Sequence, residues 1–278
     1  MRWINKRNRK NRKHGHAIVN KFLLRGWDKT LGRYVNCCYS DLQGEGKMTH
    51  LLLREQGYMC CYCMRVISYK GHTTIEHVLP RMTKKDDNNT IVHYMNSARF
   101  MKRYVKWTEE PPRYRVNVPP YPHYCAYENL VASCDGSVYD LRNPDYQYPS
   151  RLHNSCNNLR GNKKIIPLFF LKKINKVLIY EQDGELTYDD KYAPTINAIN
   201  LEYDTLKLMR RAWAKISEYY FVDDVKKAIK DVELRNEIID DAGFNAFDGN
   251  LLRHSNLWNL LYDYRWFYSY FKRRNRLG

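Results

Sequence analysis

Two cysteines separated by two residues have the spacing of a metal site. Cys60 and Cys63 lie in the segment MCCYCM, and a tight turn there can present both thiolates to one tetrahedral ion. Such a site needs two further ligands, and two downstream cysteines are the candidates. The sequence therefore predicts one structural zinc ion with four thiolate ligands: Cys60, Cys63, Cys134 and Cys156.

The second half of this predicted zinc site is less regular than the first. Cys134 and Cys156 are separated by 21 residues instead of the usual two, so Cys125 or His153 could replace one of them. Disulfides are not expected, because the sequence has no signal peptide and indicates a cytoplasmic, reducing environment. The remaining cysteines are expected to be ordinary small apolar residues: Cys37, Cys38 and Cys61.

A second group with chemical potential lies between the two halves of the predicted zinc site. The segment TTIEHVLP, residues 73–80, is a β-prone run that ends in Glu76-His77 and is followed by Pro80. Adjacent side chains of a regular strand point to opposite faces, so a break there is what lets both approach a phosphate. An imidazole suits proton transfer because its pKa lies near the working pH.

In their order along the chain these pieces resemble the HNH nuclease motif in its His-Asn-Asn form. The resemblance rests on Cys60-x-x-Cys63, Glu76-His77-x-x-Pro80, Asn129 in YENL, and CNNLRGNK at 156–163. More narrowly, LLLREQGYMCCYC, RGNK followed by IIPL, and TINAINLEYDTLKLMRR at 195–211 are similar to one subfamily. It comprises the putative HNH endonucleases associated with retrons and the nuclease subunit of Septu anti-phage systems. The resemblance covers roughly residues 47 to 220.

This resemblance implies an α+β protein with a ββα-metal core that hydrolyses DNA phosphodiester bonds and leaves 5′ phosphate and 3′ hydroxyl ends. It implies that His77 is the general base and that Asn129 fixes the loop and orients that base. Glu76 and Asn157 would be ligands of a catalytic divalent ion, Mg²⁺, which would stabilise charge at the scissile phosphate. Glu76 could instead be a hydrogen-bonding residue beside the ion, and Asn154, Asn158 or His153 could take the place of Asn157. An ABC-type ATPase subunit of the same defence system would be the partner.

The charge of the chain indicates a polyanionic partner. Its 47 Lys and Arg residues exceed its 30 Asp and Glu residues, giving a formal net charge of +17, and neutralising phosphates releases condensed counterions. Residues 1–15 are basic and predict a flexible arm that contacts phosphates or serves as a solvated tail. Further candidates for DNA contact, the first four at helical spacing and otherwise a plain solvated face, are Arg99, Lys102, Arg103, Lys106, Arg160 and Lys163.

The chain divides into three parts by composition. Residues 1–46 are the basic arm and lead-in, 47–170 the nuclease core with an insertion at 82–126, and 171–278 a hairpin and a mostly helical region. Within them we predict a helix over 48–56 that stops at Gly57, a hairpin over 176–188 with an Asp183-Gly184 turn, and helices over 224–239 and 249–274. No apolar run approaches the roughly 20 residues that span a bilayer, so no membrane partner is expected.

An amphipathic helix is predicted from Leu201 onward. Its apolar stripe consists of Leu206, Met209, Trp213, Ile216 and Tyr220. The chain then ends in an aromatic segment, which could dock the ATPase partner or pack against this helix. Its large apolar residues are Leu257, Trp258, Leu260, Leu261, Tyr264, Trp266, Phe267, Tyr268, Tyr270 and Phe271.

Two other functions fit the same residues. A zinc-binding nucleic-acid adaptor without catalysis would use the basic surface for binding and would keep Glu76 and His77 only for structure. A free-standing HNH nuclease would keep the chemistry and have no ATPase partner. Loss of His77 separates the adaptor from the nuclease, and co-purification of an ATPase separates the two nucleases.

Overall fold

The fold is mixed α+β, as predicted. It is known from a computed structural model, which describes residues 1–35, 42, 47–69, 73–84, 87–108, 112–137, 155–219 and 261–275. The α-helices are α1 (Arg9–Gly26), α2 (Lys47–Gln56), α3 (Asn88–Ser97), α4 (Cys156–Arg160), α5 (Ile174–Val177), α6 (Ala193–Ile199), α7 (Asp204–Tyr219) and α8 (Trp266–Asn275). The strands are β1 (Trp27–Asp28), β2 (Arg33–Tyr34), β3 (Thr73–His77), β4 (Val105–Lys106), β5 (Tyr121–Pro122), β6 (Leu130–Cys134), β7 (Leu178–Tyr180) and β8 (Leu186–Tyr188). Short 3-10 turns cover Arg99–Arg103, Tyr127–Asn129, Leu168–Phe170 and Asp190–Tyr192. Every helix in these ranges is too short or too polar to cross a lipid bilayer.

A pair of antiparallel strands followed by a helix forms the centre of the fold. Strand β3 pairs with β6 from Thr73 opposite Cys134 to His77 opposite Leu130, and α4 packs against β6. All five residues of β6 are buried, which explains its nearly continuous run of apolar and small side chains. The order is strand, strand, helix.

Helix α2 satisfies the backbone at the edge of β6. The predicted helix over 48–56 is confirmed, and Gly57 ends it with a φ of 65°, a conformation that favours glycine. The Gln56 side chain donates to the carbonyl of Ala132 (2.7 Å) and accepts from the amide of Ala132 (2.7 Å). Without this side chain two buried backbone groups would lose their partners.

The N-terminal segment is part of the packed fold, so the prediction of a flexible arm over residues 1–15 was wrong. Met1 and Ile4 are buried, and α1 begins at Arg9 and packs against α2. Gly15 lies against the ring of Tyr127, where an added Cβ would be 2.4 Å from the ring. Apolar side chains later in α1, which anchor the segment, outweigh its basic composition: Ile18, Val19, Phe22 and Leu23.

The basic stretch in the insertion is not one helix, contrary to the prediction. Residues Arg99–Arg103 form a 3-10 turn, and the chain then enters β4, which pairs in parallel with β5. The four predicted DNA-contact residues are nevertheless all exposed: Arg99, Lys102, Arg103 and Lys106. Three aromatic residues interleaved with them are half-buried and pack against the core: Phe100, Tyr104 and Trp107.

The C-terminal part contains the predicted hairpin and the predicted amphipathic helix. Strands β7 and β8 pair from Leu178 opposite Tyr188, and the turn between them has Gly184 at a φ of 88°. The stripe of α7 is buried at Leu206, Met209, Trp213 and Ile216. Tyr220, the predicted helix over 224–239 and residues 249–260 of the last predicted helix lie outside the described residues.

Helix α8 and the turn before it cover α7. The indole Nε1 of Trp213 donates to the carbonyl of Leu261 (2.8 Å), and the rings of Trp213 and Tyr268 meet edge to face. Most described residues of the predicted ATPase-docking segment are therefore buried within this chain and do not form an exposed docking face. They are Leu261, Tyr264, Phe267, Tyr268 and Phe271.

Candidate metal centre and neighbouring polar site

Four buried cysteines from distant parts of the chain meet at one point. The Sγ atoms of Cys60, Cys63, Cys134 and Cys156 all lie within 4.8 Å of one another. The separation is 3.9 Å between Cys60 and Cys156 and 3.7 Å between Cys63 and Cys134. A tetrahedral site with Zn–S bonds of about 2.3 Å needs S–S distances of about 3.8 Å. The structure therefore brings the four predicted cysteines together, and the cluster could hold a structural metal such as zinc.

The first cysteine pair lies on a tight turn just after α2. The amide of Cys60 donates to the carbonyl of Arg65 (2.8 Å), and Met59 bridges Val66 across the turn. Inside it, Met64 has a φ of 66°, and the amide of Tyr62 donates to the Sγ of Cys60 (3.4 Å). These bonds hold the two thiols on the same side of the turn.

A close backbone approach brings the second cysteine pair together. Gly136 has a φ of 82°, and a Cβ there would lie 1.8 Å from the carbonyl oxygen of Ser155. Because glycine has no side chain, the chain entering α4 passes directly beside the end of β6. Cys134 and Cys156 thus become neighbours despite their separation in sequence.

The thiols of the cluster favour a cation. Burial raises the pKa of Cys60, but hydrogen bonds from Cys134 and Cys156 outweigh it and bring the pKa well below its ordinary value. The pKa of Cys156 is raised, first by burial and then by its neighbouring thiols. One thiolate in the cluster makes deprotonation of a second thiol unfavourable, because like charges repel. A bound divalent cation reverses this effect.

Of the two alternative ligands, Cys125 lies within the described residues and is not part of this cluster. Cys125 is buried and donates its thiol to the carbonyl of Pro122 (3.5 Å), so it does not replace a ligand. Cys61 is buried beside the ligands as the small core residue predicted. His153, Cys37 and Cys38 lie outside the described residues.

His77 ends β3 and is buried. Its Nε2 lies 2.8 Å from the carbonyl oxygen of Tyr124. A carbonyl only accepts, so Nε2 carries the proton and the lone pair of the neutral ring is on Nδ1. Burial lowers the pKa of His77 to about 3, which keeps the imidazole neutral at physiological pH.

Asn129 holds the loop that follows His77. Its Oδ1 accepts from the amide of Leu79 (2.7 Å), and its Nδ2 donates to the carbonyls of Leu79 (2.9 Å) and His123 (2.8 Å). The side chain is fully buried. These contacts have the loop-fixing geometry that the sequence led us to expect of this residue.

Glu76 points away from His77 and takes part in a buried ion pair. Its Oε1 accepts from Arg160 Nη1 and from the hydroxyl of Tyr62 (2.9 Å). Arg160 also donates to the carbonyls of His77 (2.7 Å) and Val78 (2.6 Å). The carboxylate is thus held by a guanidinium where a metal ligand was expected.

Arg160 is not available for DNA, contrary to the prediction. Its exposed fraction is 1%, and its donors are used by Glu76, by the carbonyls of His77 and Val78, and by the hydroxyl of Tyr94 (3.0 Å). The sequence contained a signal for this role, because a glutamate in a buried strand needs a cationic partner. Lys163 is exposed, and its DNA contact stays a prediction.

Asn157 follows the last cysteine and lies beside β3. Its Nδ2 donates to the hydroxyl of Thr74 (2.7 Å), which leaves the amide oxygen as the atom suited to a hard cation. Thr74 and Glu76 share one face of β3, since they are two residues apart. With Glu76 engaged by Arg160, the two residues do not assemble a Mg²⁺ site in this arrangement.

Comparison of the chain with protein-family models, with curated proteins and with solved structures gives no match.

Proposed function

We propose that this protein is a zinc-stabilised endonuclease of the HNH type that hydrolyses DNA phosphodiester bonds in the cytoplasm, with His77 as general base. One observation carries the proposal: His77 ends the first strand of a strand-strand-helix unit, its ring is oriented by the Tyr124 carbonyl, and the loop after it is held by Asn129. The four-cysteine cluster fixes the start of the helix in that unit.

In the proposed reaction Nδ1 of His77 accepts a proton from water. The water oxygen bonds to phosphorus, the bond from phosphorus to the 3′ oxygen breaks, and solvent protonates the 3′ oxygen. A neutral imidazole is the required starting form, and a pKa of about 3 provides it. The pKa is low for an efficient base, but a substrate phosphate placed beside the ring would raise it, since a nearby anion favours the protonated form.

Asn129 and Arg160 are positioning residues in this scheme. Asn129 fixes the backbone of Leu79, and Arg160 binds the carbonyls of His77 and Val78. Together they fix both sides of the strand end that carries the base. Small displacements of a catalytic group lower rates strongly, so both residues are expected to affect turnover without touching substrate.

A divalent ion is proposed from the resemblance alone. Asn157 could offer an amide oxygen, but the carboxylate of Glu76 is held by Arg160, so no step is assigned to the ion. We expect cleavage to require added Mg²⁺ all the same.

The experiment that tests the proposal uses supercoiled plasmid with and without Mg²⁺. The nuclease produces nicked or linear DNA only with Mg²⁺, and its ends are 5′ phosphate and 3′ hydroxyl, which DNA ligase reseals at nicks. Retained plasmid binding with no cleavage under any condition would contradict it.

The adaptor without catalysis is the second candidate. One observation favours it: Glu76, expected beside a metal ion, is engaged in a buried ion pair with Arg160. The plasmid experiment separates the two functions, because an adaptor binds DNA and leaves it intact.

The ABC-type ATPase partner and a role in anti-phage defence are proposals from the same resemblance. The described aromatic residues that remain half-buried, Trp266 and Tyr270, could still contribute to docking. Co-expression with a neighbouring ATPase gene tests the partner. Recovery of this chain alone would favour the free-standing nuclease.

A further inference from the structure

Two cavities lie side by side on the face formed by the N-terminal segment. Their volumes are about 630 Å³ and about 380 Å³, and Trp3, Asn5 and Lys172 line both of them. The larger cavity extends to Trp266 and Arg273, and the smaller one extends to Arg99 and Phe100. We call these two adjoining cavities together the Trp3 groove.

The Trp3 groove combines aromatic rings with cations along its length. Trp3 lines both cavities and is 37% exposed, and half-buried rings of Trp266 and Phe100 line the larger and the smaller cavity, respectively. Lys172 also lines both, with Arg273 in one cavity and Arg99 in the other. Each cavity therefore offers aromatic rings and cations together, the two kinds of group that bind bases and phosphates in single strands.

Negative charge in the groove is neutralised. Among the described lining residues Glu55 is the acidic one, and both of its oxygens are engaged. Lys6 Nζ lies 2.6 Å from Oε2, and the hydroxyl of Tyr127 donates to Oε1 (2.5 Å). A polyanion entering the groove would therefore meet net positive charge.

We propose that the Trp3 groove binds single-stranded DNA and so presents unpaired strands to this protein. The proposal rests on the proposed nuclease function and adds the form of the substrate. Single strands offer free base faces that stack on aromatic side chains while cations follow the phosphates. In a duplex the base faces are covered by their neighbours, so the rings of Trp3, Phe100 and Trp266 would gain no stacking.

The test is direct binding, measured by fluorescence anisotropy on the full chain without added divalent metal. Labelled probes of about 15 nucleotides, within the site sizes of about 4–16 known for single-strand binders, are oligo-dT, oligo-rU and a mixed-sequence duplex. The groove predicts tighter binding of single strands than of duplex. Oligo-dT should bind at least as tightly as oligo-rU.

Variants of the groove locate the binding. Trp3→Ala should weaken single-strand binding by roughly 5- to 150-fold, the equivalent of about 1–3 kcal/mol for one stacked base, whereas Trp3→Phe should retain most of it. Lys172→Ala should lower the slope of log affinity against log salt by about 0.7, the value for one phosphate on a single strand. Matched controls outside the groove are Tyr69→Ala, an aromatic residue that is 45% exposed, and Lys191→Ala, an exposed cation.

Four results would overturn the proposal: duplex bound as tightly as single strands, oligo-rU bound more tightly than oligo-dT, an unchanged affinity in Trp3→Ala, or no binding by the wild type. Binding is read without Mg²⁺ and plasmid cleavage with it. Failure of the single-strand binding proposal and failure of the nuclease proposal therefore give different results.

Discussion

At the end of β3, two neighbouring side chains enter different environments. Glu76 meets Arg160 and Tyr62 on one face, while His77 meets the Tyr124 carbonyl on the other. The residue types at these positions were readable from the sequence. Their partners were not, because Arg160 lies 84 residues from Glu76 and Tyr124 lies 47 residues from His77, and local patterns do not specify such contacts.

Asn129→Ala should destabilise the fold strongly. The change removes three buried hydrogen bonds to Leu79 and His123, and each buried group left without a partner costs about 1–3 kcal/mol. We expect the free energy of unfolding in urea to fall by roughly 2–5 kcal/mol. Asn157→Ala, which removes one bond at a half-exposed site, should cost about 0.5–1.5 kcal/mol. Equal losses would contradict the loop-fixing role of Asn129.

His77 should make stability depend on pH in a predictable direction. Its folded-state pKa of about 3 lies below the ordinary 6.5, so between those values the unfolded chain binds one more proton. The contribution of neutral His77 is fully present above pH 6.5 and is lost as the pH falls toward 3. Between about pH 4 and 6, wild-type stability should rise more steeply with pH than that of His77→Gln, by up to about 1.4 kcal/mol per pH unit. Parallel curves would show that His77 is not buried as a neutral ring.

At the scale of elements, local spacing specifies the first cysteine pair of the metal centre. Long-range packing brings the second pair to it. The Cys60-x-x-Cys63 turn is specified by adjacent residues, whereas Cys134 and Cys156 meet because Gly136 admits the Ser155 carbonyl. The Asp-Gly dipeptide after Cys134 was a usable turn signal. It did not reveal which part of the chain would lie against it.

Cys60→Ser should remove the metal and lower the melting temperature. Elemental analysis should find about one zinc per wild-type chain and little in the variant, since a structural site loses its closed tetrahedron with one ligand. Cys125→Ser is the matched control, because Cys125 is equally buried but outside the cluster. Unchanged zinc content and melting temperature in Cys60→Ser would refute the zinc site.

Gly15→Ala tests whether α1 is packed or free. On a solvated helix the change would stabilise by about 0.5–1 kcal/mol, but here the new methyl would meet the ring of Tyr127. Overpacking of this kind costs about 1–3 kcal/mol, so urea unfolding should show a net loss. His14→Ala, on the exposed side of α1, should change stability by less than about 0.5 kcal/mol. A gain in stability in Gly15→Ala would contradict the packing of α1 and would support the flexible arm.

At the scale of the whole molecule, composition predicts a polyanionic partner, which stays a prediction, and it did not predict how the N-terminal segment folds. A net charge of +17 pointed to a polyanion, yet the basic N-terminal segment is folded, because buried apolar positions in α1 anchor it. The aromatic C-terminal segment likewise packs on α7. Periodicity predicted the apolar stripe of α7, but it could not say whether the surface that covers this stripe belongs to this chain or to a partner.

The central claim is that His77 acts as the base of a nuclease centre, and single-turnover cleavage of plasmid with Mg²⁺ tests it most directly. Wild type is compared with His77→Ala and with His77→Gln, which keeps the side-chain volume at this buried site. Zinc content and melting temperature are measured on each protein, so that loss of the fold is separated from loss of the base. We predict cleavage by wild type and a loss of at least about 100-fold in both variants, the lower range for removal of a general base. Equal cleavage by a folded His77→Gln variant, or no cleavage by wild type, would contradict the claim.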